Sequence, residues 1–215
     1  MSRPAHTRVH LVRHGEVFNP EKILYGRLPG FLLSELGHRM AQMVADSMVG
    51  NDITHLVSSP LERAQQTAAP LVEQTGLTLT IDERVIEGEN EFEGKAVAGG
   101  ANLLRLQYLP LVLNPFRPSW GEPYTVIRDR MVPAVLAARD AARGHEAVIV
   151  SHQLPIWTTR LSAQGDRLWH DPRRRECSLA SVTTISFDDD DRLSGVEYSE
   201  PAAALLPLAS KVSGA

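Results

Sequence analysis

Glu146-Ala147-Val148-Ile149-Val150-Ser151-His152 is the stretch that decides the fold. Four apolar residues run unbroken between polar ends, and three of them are β-branched. A strand with one wet face alternates in polarity. A strand that does not alternate is covered on both faces, as in the centre of a parallel sheet. Upstream, Thr7–Arg13 reads as another strand, with Val9 and Leu11 alternating before Val12, and Ile53–Ser58 as a third. Thr78–Ile81 is a short fourth, and Leu179–Phe187 and Arg192–Tyr198 are two late ones, joined through the acidic run Asp188–Asp191 as a solvated hairpin turn.

Helical spacing fills the intervals. Leu36, Met40, Met43, Val44 and Met48 recur along 34–49, with Ser34 as a cap and Gly50 just beyond. Ser59, Pro60 and Glu62 read as N-cap, first helical position and capping box of a second helix that ends at Gly76. Pro70 inside it predicts a kink or an earlier stop. Further helices are expected over 123–143, with Pro133 inside, and over about 153–164. Strands alternating with helices predict a three-layer α/β/α architecture around an open, mostly parallel sheet. Residues 83–121 lack a period and are rich in Gly and Pro, so a cap-like insertion is expected over about 95–121. One domain over 1–200 and a loosely attached tail over 201–215 complete the expected organisation.

Composition narrows the function. The chain has 215 residues, enough for a single domain to bury roughly 70% of its unfolded surface. Its net charge of −4 speaks against a general nucleic-acid binder. The three lysines, Lys22, Lys95 and Lys211, leave 19 arginines among the 22 basic residues; GC-rich codon usage explains most of that bias. Cys177 is the single cysteine, so neither an internal disulfide nor a cysteine-based zinc site is available. That cysteine usage, and an amino terminus with no apolar run, point to the cytoplasm. The apolar stretch Ala202–Ala209 is too short to cross a bilayer, and no membrane partner is expected.

In parallel sheets, ligands bind beyond the carboxyl ends of the strands. In this chain those ends lead into Arg13-His14-Gly15-Glu16, then Ser58-Ser59-Pro60-Leu61-Glu62-Arg63, then Glu87, then Ser151-His152-Gln153. Two guanidinium forks make a poor metal site and a good dianion site, and helix N-termini add N–H donors. A neutral imidazole among them can attack phosphorus, and a carboxyl group can protonate the leaving oxygen and then activate water. The expected partner is therefore a small phosphorylated metabolite, with inorganic phosphate as product; no cofactor and no metal are expected.

These motifs, in this order, resemble the histidine phosphatase superfamily, the phosphoglycerate-mutase-like clan, over about residues 7 to 198. Tyr25-Gly26-Arg27 running into Leu33-Ser34-Glu35-Leu36-Gly37 also resembles the family's loop and first helix. The resemblance implies His14 as the nucleophile, Arg13, Arg63 and His152 as the phosphate pocket, and Glu87 as the proton donor. Asn19, Tyr25, Gly26 and Gln153 are the further substrate-binding expectations. Phe92 stands where the family's Trp is usual, Asn19 lies five residues after the nucleophile rather than six, and Gln153 replaces a common Gly or Asn. Glu87 is preferred over its neighbours Glu89 and Glu91 as donor. The expected activity is a metal-independent phosphomonoester hydrolase acting through phosphohistidine. A phosphoglycerate-type mutase and a catalytically weak phospholigand-binding protein are the alternatives. Arg173-Arg174-Arg175 reads as a solvated loop rather than an anion patch, and Phe116, Arg117, Trp120 and Tyr124 as residues of the cap or its border.

Overall fold

The computed structural model describes residues 6–91, 93–94 and 121–210. Six strands form one sheet: β1 (Thr7–Arg13), β2 (Ile53–Ser58), β3 (Leu79–Ile81), β4 (Glu146–Ser151), β5 (Val182–Phe187) and β6 (Leu193–Ser199). Their spatial order is β3-β2-β4-β1-β5-β6. The pairs β3–β2, β2–β4 and β4–β1 are parallel, whereas β1–β5 and β5–β6 are antiparallel. The sheet is thus mixed, with its parallel part carrying the site.

The unbroken apolar run of β4 is explained by its place between β2 and β1. Ala147 and Ile149 join a core with Val9, Leu11, Ile127, Met131 and Ile156. Val148 and Val150 join a separate core with Val12, Met40, Val44, Ala64 and Leu71. Helices α1 (Glu35–Ser47) and α2 (Glu62–Thr75) supply the second core; α3 (Tyr124–Ala141) and α4 (Gln153–Gln164) supply the first.

Ser34 caps α1 as expected, its Oγ accepting from Gly37 N–H at 2.9 Å. The expected cap of α2 needs correction. The helix begins at Glu62 with Leu61 at the cap position; the Ser59 hydroxyl accepts from Leu61 N–H at 3.3 Å, ahead of the first turn, and is also hydrogen-bonded to His152 Nε2. Pro70 neither stops α2 nor divides it, and Pro133 is tolerated likewise in α3. Pro133 is exposed and Pro70 half-exposed, so water can take the carbonyls that each proline leaves without a partner. The acidic run does form the β5–β6 turn, where Asp188 accepts from the N–H groups of Asp190 and Arg192. Its neighbours are Arg139 and Arg143 rather than the Arg173–Arg175 loop.

The loose tail expected over 201–215 is corrected for 201–210, while 211–215 lie outside the described residues. Residues 203–208 form a 3-10 turn, and Ala202 and Leu205 are buried in the core under α1 and α2. Ser210 N–H reaches the Glu16 carboxylate at 2.6 Å. The apolar run Ala202–Ala209 supplies the side chains that are buried, Ala202 and Leu205 among them. The expected cap over about 95–121 lies outside the described residues except Gly121, as do Phe92, Phe116, Arg117 and Trp120. Among the described residues no helix is long and apolar enough to cross a membrane.

Candidate active site

The loops that leave β1, β2 and β4 are stitched to one another by backbone hydrogen bonds. His14 N–H donates to Ser151 O at 3.1 Å, and Ser59 N–H to Val150 O at 2.9 Å. The turn Glu83–Val85, ahead of Glu87, is fastened to the end of β4 by the Ser151 hydroxyl, which donates to Val85 O at 2.7 Å. His14, Arg63, His152 and Glu87 are thereby brought together at the carboxyl edge of the sheet and buried, with Arg13 beside them.

The His14 ring is oriented from its own loop. Its Nδ1 lies 2.8 Å from the Gly15 carbonyl. A carbonyl only accepts, so Nδ1 carries the proton and Nε2 keeps its lone pair. That Nε2 is buried and has no hydrogen-bond partner. Burial, reinforced by the Arg63 and Arg13 charges, holds the His14 pKa well below the usual imidazole value. The ring therefore stays neutral at pH 7. The His152 ring lies 5.2 Å away, centroid to centroid, with Nε2 hydrogen-bonded to Ser59 Oγ at 2.7 Å and Nδ1 unpartnered. Burial and the Arg63 charge depress its pKa as well, so a proton is expected there only when an anion occupies the site.

The guanidinium groups are anchored at one end and open at the other. Arg13 Nη1 donates to Cys177 O at 2.7 Å, leaving Nε unpartnered. Arg63 Nη2 donates to Gly26 O at 2.5 Å, leaving Nε and Nη1 unpartnered. Neither Glu16 nor Glu62 forms an ion pair with Arg63, although the Glu62 charge acts on it from a distance. Glu16 receives Ser34 and Ser210, and Glu62 receives Gly30 N–H. Buried polar atoms without partners are rare and costly, and here they belong to His14 and to the two arginines whose charges act on it. An oxyanion with several acceptor oxygens would satisfy them together.

Glu87 is 2% exposed. Its Oε1 accepts from Gly88 N–H at 2.8 Å, and Oε2 has no partner. Burial raises its pKa against the opposing Gly88 hydrogen bond and the Arg63 charge. The carboxyl is thus suited to hold a proton. Its main-chain carbonyl is gripped by Arg27 Nε at 2.7 Å and Arg130 Nη2 at 3.2 Å. Both arginines bind the buried carboxylate of Glu122. The sequence reading missed this clamp, because Arg130 lies inside a helical pattern and Glu122 at the edge of an aperiodic stretch.

The remaining expectations divide. Tyr25 is in the site: the Arg63 guanidinium lies 4.8 Å over its ring, and its ring edge meets His14. Gly26, at φ +37°, supplies the carbonyl that anchors Arg63. Gln153 starts α4 and donates to Cys177 O at 3.3 Å, beside Arg13. Asn19 closes its own loop on Ile23, donating to the carbonyl at 2.8 Å and accepting from N–H at 3.0 Å. Arg173 is exposed and paired with Asp171, as a solvated loop requires. Arg175 differs, being half-buried at the wall of a cavity that also contains Glu87.

The comparisons agree with this geometry. The model of the histidine phosphatase superfamily (branch 1) matches residues 9–196. An uncharacterized protein of Mycobacterium tuberculosis, Rv0525, is 54% identical over 201 residues, covering 93% of this chain and 99% of its own. A probable phosphoglycerate mutase, GpmB, of Yersinia pestis is 30% identical over 195 residues, covering 81% of this chain and 84% of its own. The solved mycobacterial glucosyl-3-phosphoglycerate phosphatase Rv2419c superposes with a TM-score of 0.72 at 23% identity, covering 90% of this chain and 96% of its own. The ordered strand-end motifs, the α/β sheet and the family match together make this chain a member of the histidine phosphatase superfamily.

Proposed function

We propose that the chain is a metal-independent phosphomonoester hydrolase that works through a phosphohistidine on His14 and acts on a small phosphorylated metabolite. One observation carries the reading: the unprotonated, buried and unpartnered Nε2 of His14, on a ring that feels the charges of Arg63 and Arg13, both of which keep unpartnered donors. In the first step His14 Nε2 attacks phosphorus while Glu87 gives its proton to the leaving alkoxide. In the second, Glu87 takes a proton from water, which attacks the phosphohistidine and releases inorganic phosphate. Arg13, Arg63 and His152 hold the equatorial oxygens throughout, so positive charge is in place before the transfer begins.

The test is a trapped intermediate. Incubation with a 32P-labelled ester and acid-free quenching should give an acid-labile, base-stable phosphoryl label. His14→Ala should lose both label and turnover. Label retained in His14→Ala, or turnover without any label, would exclude the mechanism. Chelator treatment should leave turnover unchanged; a loss restored by a divalent ion would exclude metal independence. The name of the Yersinia relative favours a second reading, a phosphoglycerate mutase-type transferase. Phosphoryl transfer to phosphoglycerate outpacing release of phosphate to water would decide for it. Binding of phosphoesters with neither label nor turnover would leave a phospholigand-binding protein.

A further inference from the structure

Next to Glu87 lies a cavity of about 200 Å³ that the phosphoryl chemistry does not use. Leu24, Leu154, Tyr124 and Pro172 give it apolar walls, and Glu87 and Arg175 face it. Because Glu87 is the donor to the leaving oxygen, whatever departs with that oxygen must occupy this space.

The charges around the cavity leave one cation over. Glu89 is paired with Arg27 at 2.8 Å, and Glu122 with both Arg27 and Arg130. Burial pushes Glu87 towards its neutral form, against the charges of Arg63, Arg13 and, across the cavity, Arg175. Among the described residues Arg175 makes no ion pair; its one hydrogen bond runs from Nε to His170 Nε2 at 2.8 Å, so both terminal nitrogens are free there. The bond is directional. His170 Nδ1 donates to Leu168 O at 2.7 Å, which leaves Nε2 as an acceptor. Burial keeps His170 neutral by lowering its pKa. The ring is fixed in turn by stacking on Tyr124, at 5.0 Å and 26°, and by the edge of Trp157 at 5.8 Å. A half-buried guanidinium held by its Nε, with its fork free, is arranged to receive an anion.

We propose that this cavity receives the alcohol part of the phosphoester and that Arg175 selects an alcohol bearing an anionic group. The inference rests on the hydrolase reading for the placement of the leaving group. It deepens that reading by naming a substrate class, an ester whose alcohol carries a carboxylate or a second phosphate. Arg175 is the specificity residue, and His170 is a positioning residue that acts through it.

The experiment uses three esters of primary alcohols that differ in charge: 3-phosphoglycerate, glycerol 3-phosphate and phosphoethanolamine. The full-length protein should prefer the first over the second by about tenfold or more in kcat/KM, the scale of a charge-assisted contact. Arg175→Gln should bring that ratio near one, and Arg175→Glu should place phosphoethanolamine first. Arg175→Lys, which keeps the charge and loses the fork, should fall between. His170→Phe keeps an aromatic ring beside Tyr124 and removes the acceptor, so it should lower the ratio without reversing it. An unchanged ratio in Arg175→Gln, or an equal fall for all three esters, overturns the assignment. Calorimetric binding of the same esters to His14→Ala, with and without Arg175→Gln, separates the two readings. If wild type hydrolyses none of them yet the anionic ester binds about tenfold tighter through Arg175, the hydrolase reading fails and the subsite stands. If all three bind alike, the subsite fails whatever the chemistry.

Discussion

Three glutamates crowd the loop after β3, and burial tells them apart. Glu87 is 2% exposed with a raised pKa, whereas the Glu89 side chain is 69% exposed and paired with Arg27, and Glu91 is exposed as well. Of the three, Glu87 is the buried one, its pKa raised by burial and its carboxyl within the field of Arg63 and Arg13. Glu87→Gln keeps the shape and loses the proton. Single-turnover transfer from an alkoxide ester should fall about 10²- to 10⁴-fold, and from a nitrophenyl ester much less. Equal slowing of both esters, or leaving-group dependence in Glu89→Gln or Glu91→Gln instead, would move the donor elsewhere. The same raised pKa sets a pH dependence. The donor form exists below the folded pKa, so kcat/KM for the alkoxide ester should decline as pH rises through it, and the nitrophenyl ester should be less affected. The imidazoles act in the opposite direction on stability. His14 and His152 have folded pKa values well below the ordinary 6.5, so the unfolded chain binds more protons as pH falls from that value. Their contribution, present above 6.5, is lost on acidification. The urea midpoint should drop between pH 7 and 5.5, and the drop should be smaller in His14→Gln.

At the scale of elements, the catalytic loop depends on contact between two glycines. A Cβ on Gly37, in the first turn of α1, would lie 2.0 Å from Glu16 O, and one on Gly15 would lie 2.5 Å from Gly37 O. Both obstacles are backbone, so neither can rotate away. The loop after β1 therefore lies directly on the start of α1, tied there by Ser34 Oγ to the Glu16 carboxylate. Gly37→Ala should destabilise the fold by about 1–3 kcal/mol, the range for overpacking. It should also lower turnover in the surviving folded protein, because the displaced loop carries His14. Unchanged melting and kinetics would refute the close approach. Spacing alone marked α1 and its Ser34 cap, and it placed α4 over the observed Gln153–Gln164. It set the start of α2 early: the Ser59 hydroxyl, shared between Leu61 N–H and His152 Nε2, closes the turn ahead of the helix rather than its first turn.

At the scale of the molecule, the segment after β6 is part of the core. Leu205 is 8% exposed and packs under α1 and α2, next to the sheet face that holds Val150 and Val182. Leu205→Ala should cost about 2 kcal/mol of stability, near the low end for buried leucine because the site lies at the edge of the core. Removal of residues 201–215 should lower the denaturation midpoint by more. A midpoint unchanged by both would restore the loose tail. The segment also touches the catalytic loop through Ser210 and Glu16, so truncation should reduce activity before it unfolds the sheet.

Strand identity, the α/β class and the residues His14, Arg13, Arg63 and His152 were legible in the chain itself. The reason is periodicity: residues at the ends of parallel strands fall on one edge whatever the loops do. Which glutamate is buried, which serine hydroxyl reaches His152 and that Asn19 bonds Ile23 depended on packing. So did the Arg27–Glu122–Arg130 grip on the donor loop, which joins residues over a hundred positions apart. Arg175 shows the division most clearly. The sequence presents three equivalent arginines in a row, and only the folded chain leaves two of them in water and turns the third, by one hydrogen bond to His170, into the cavity beside Glu87. Charge can be counted along a chain, but desolvation and direction, which turn a charge into a site, exist only once the chain is folded.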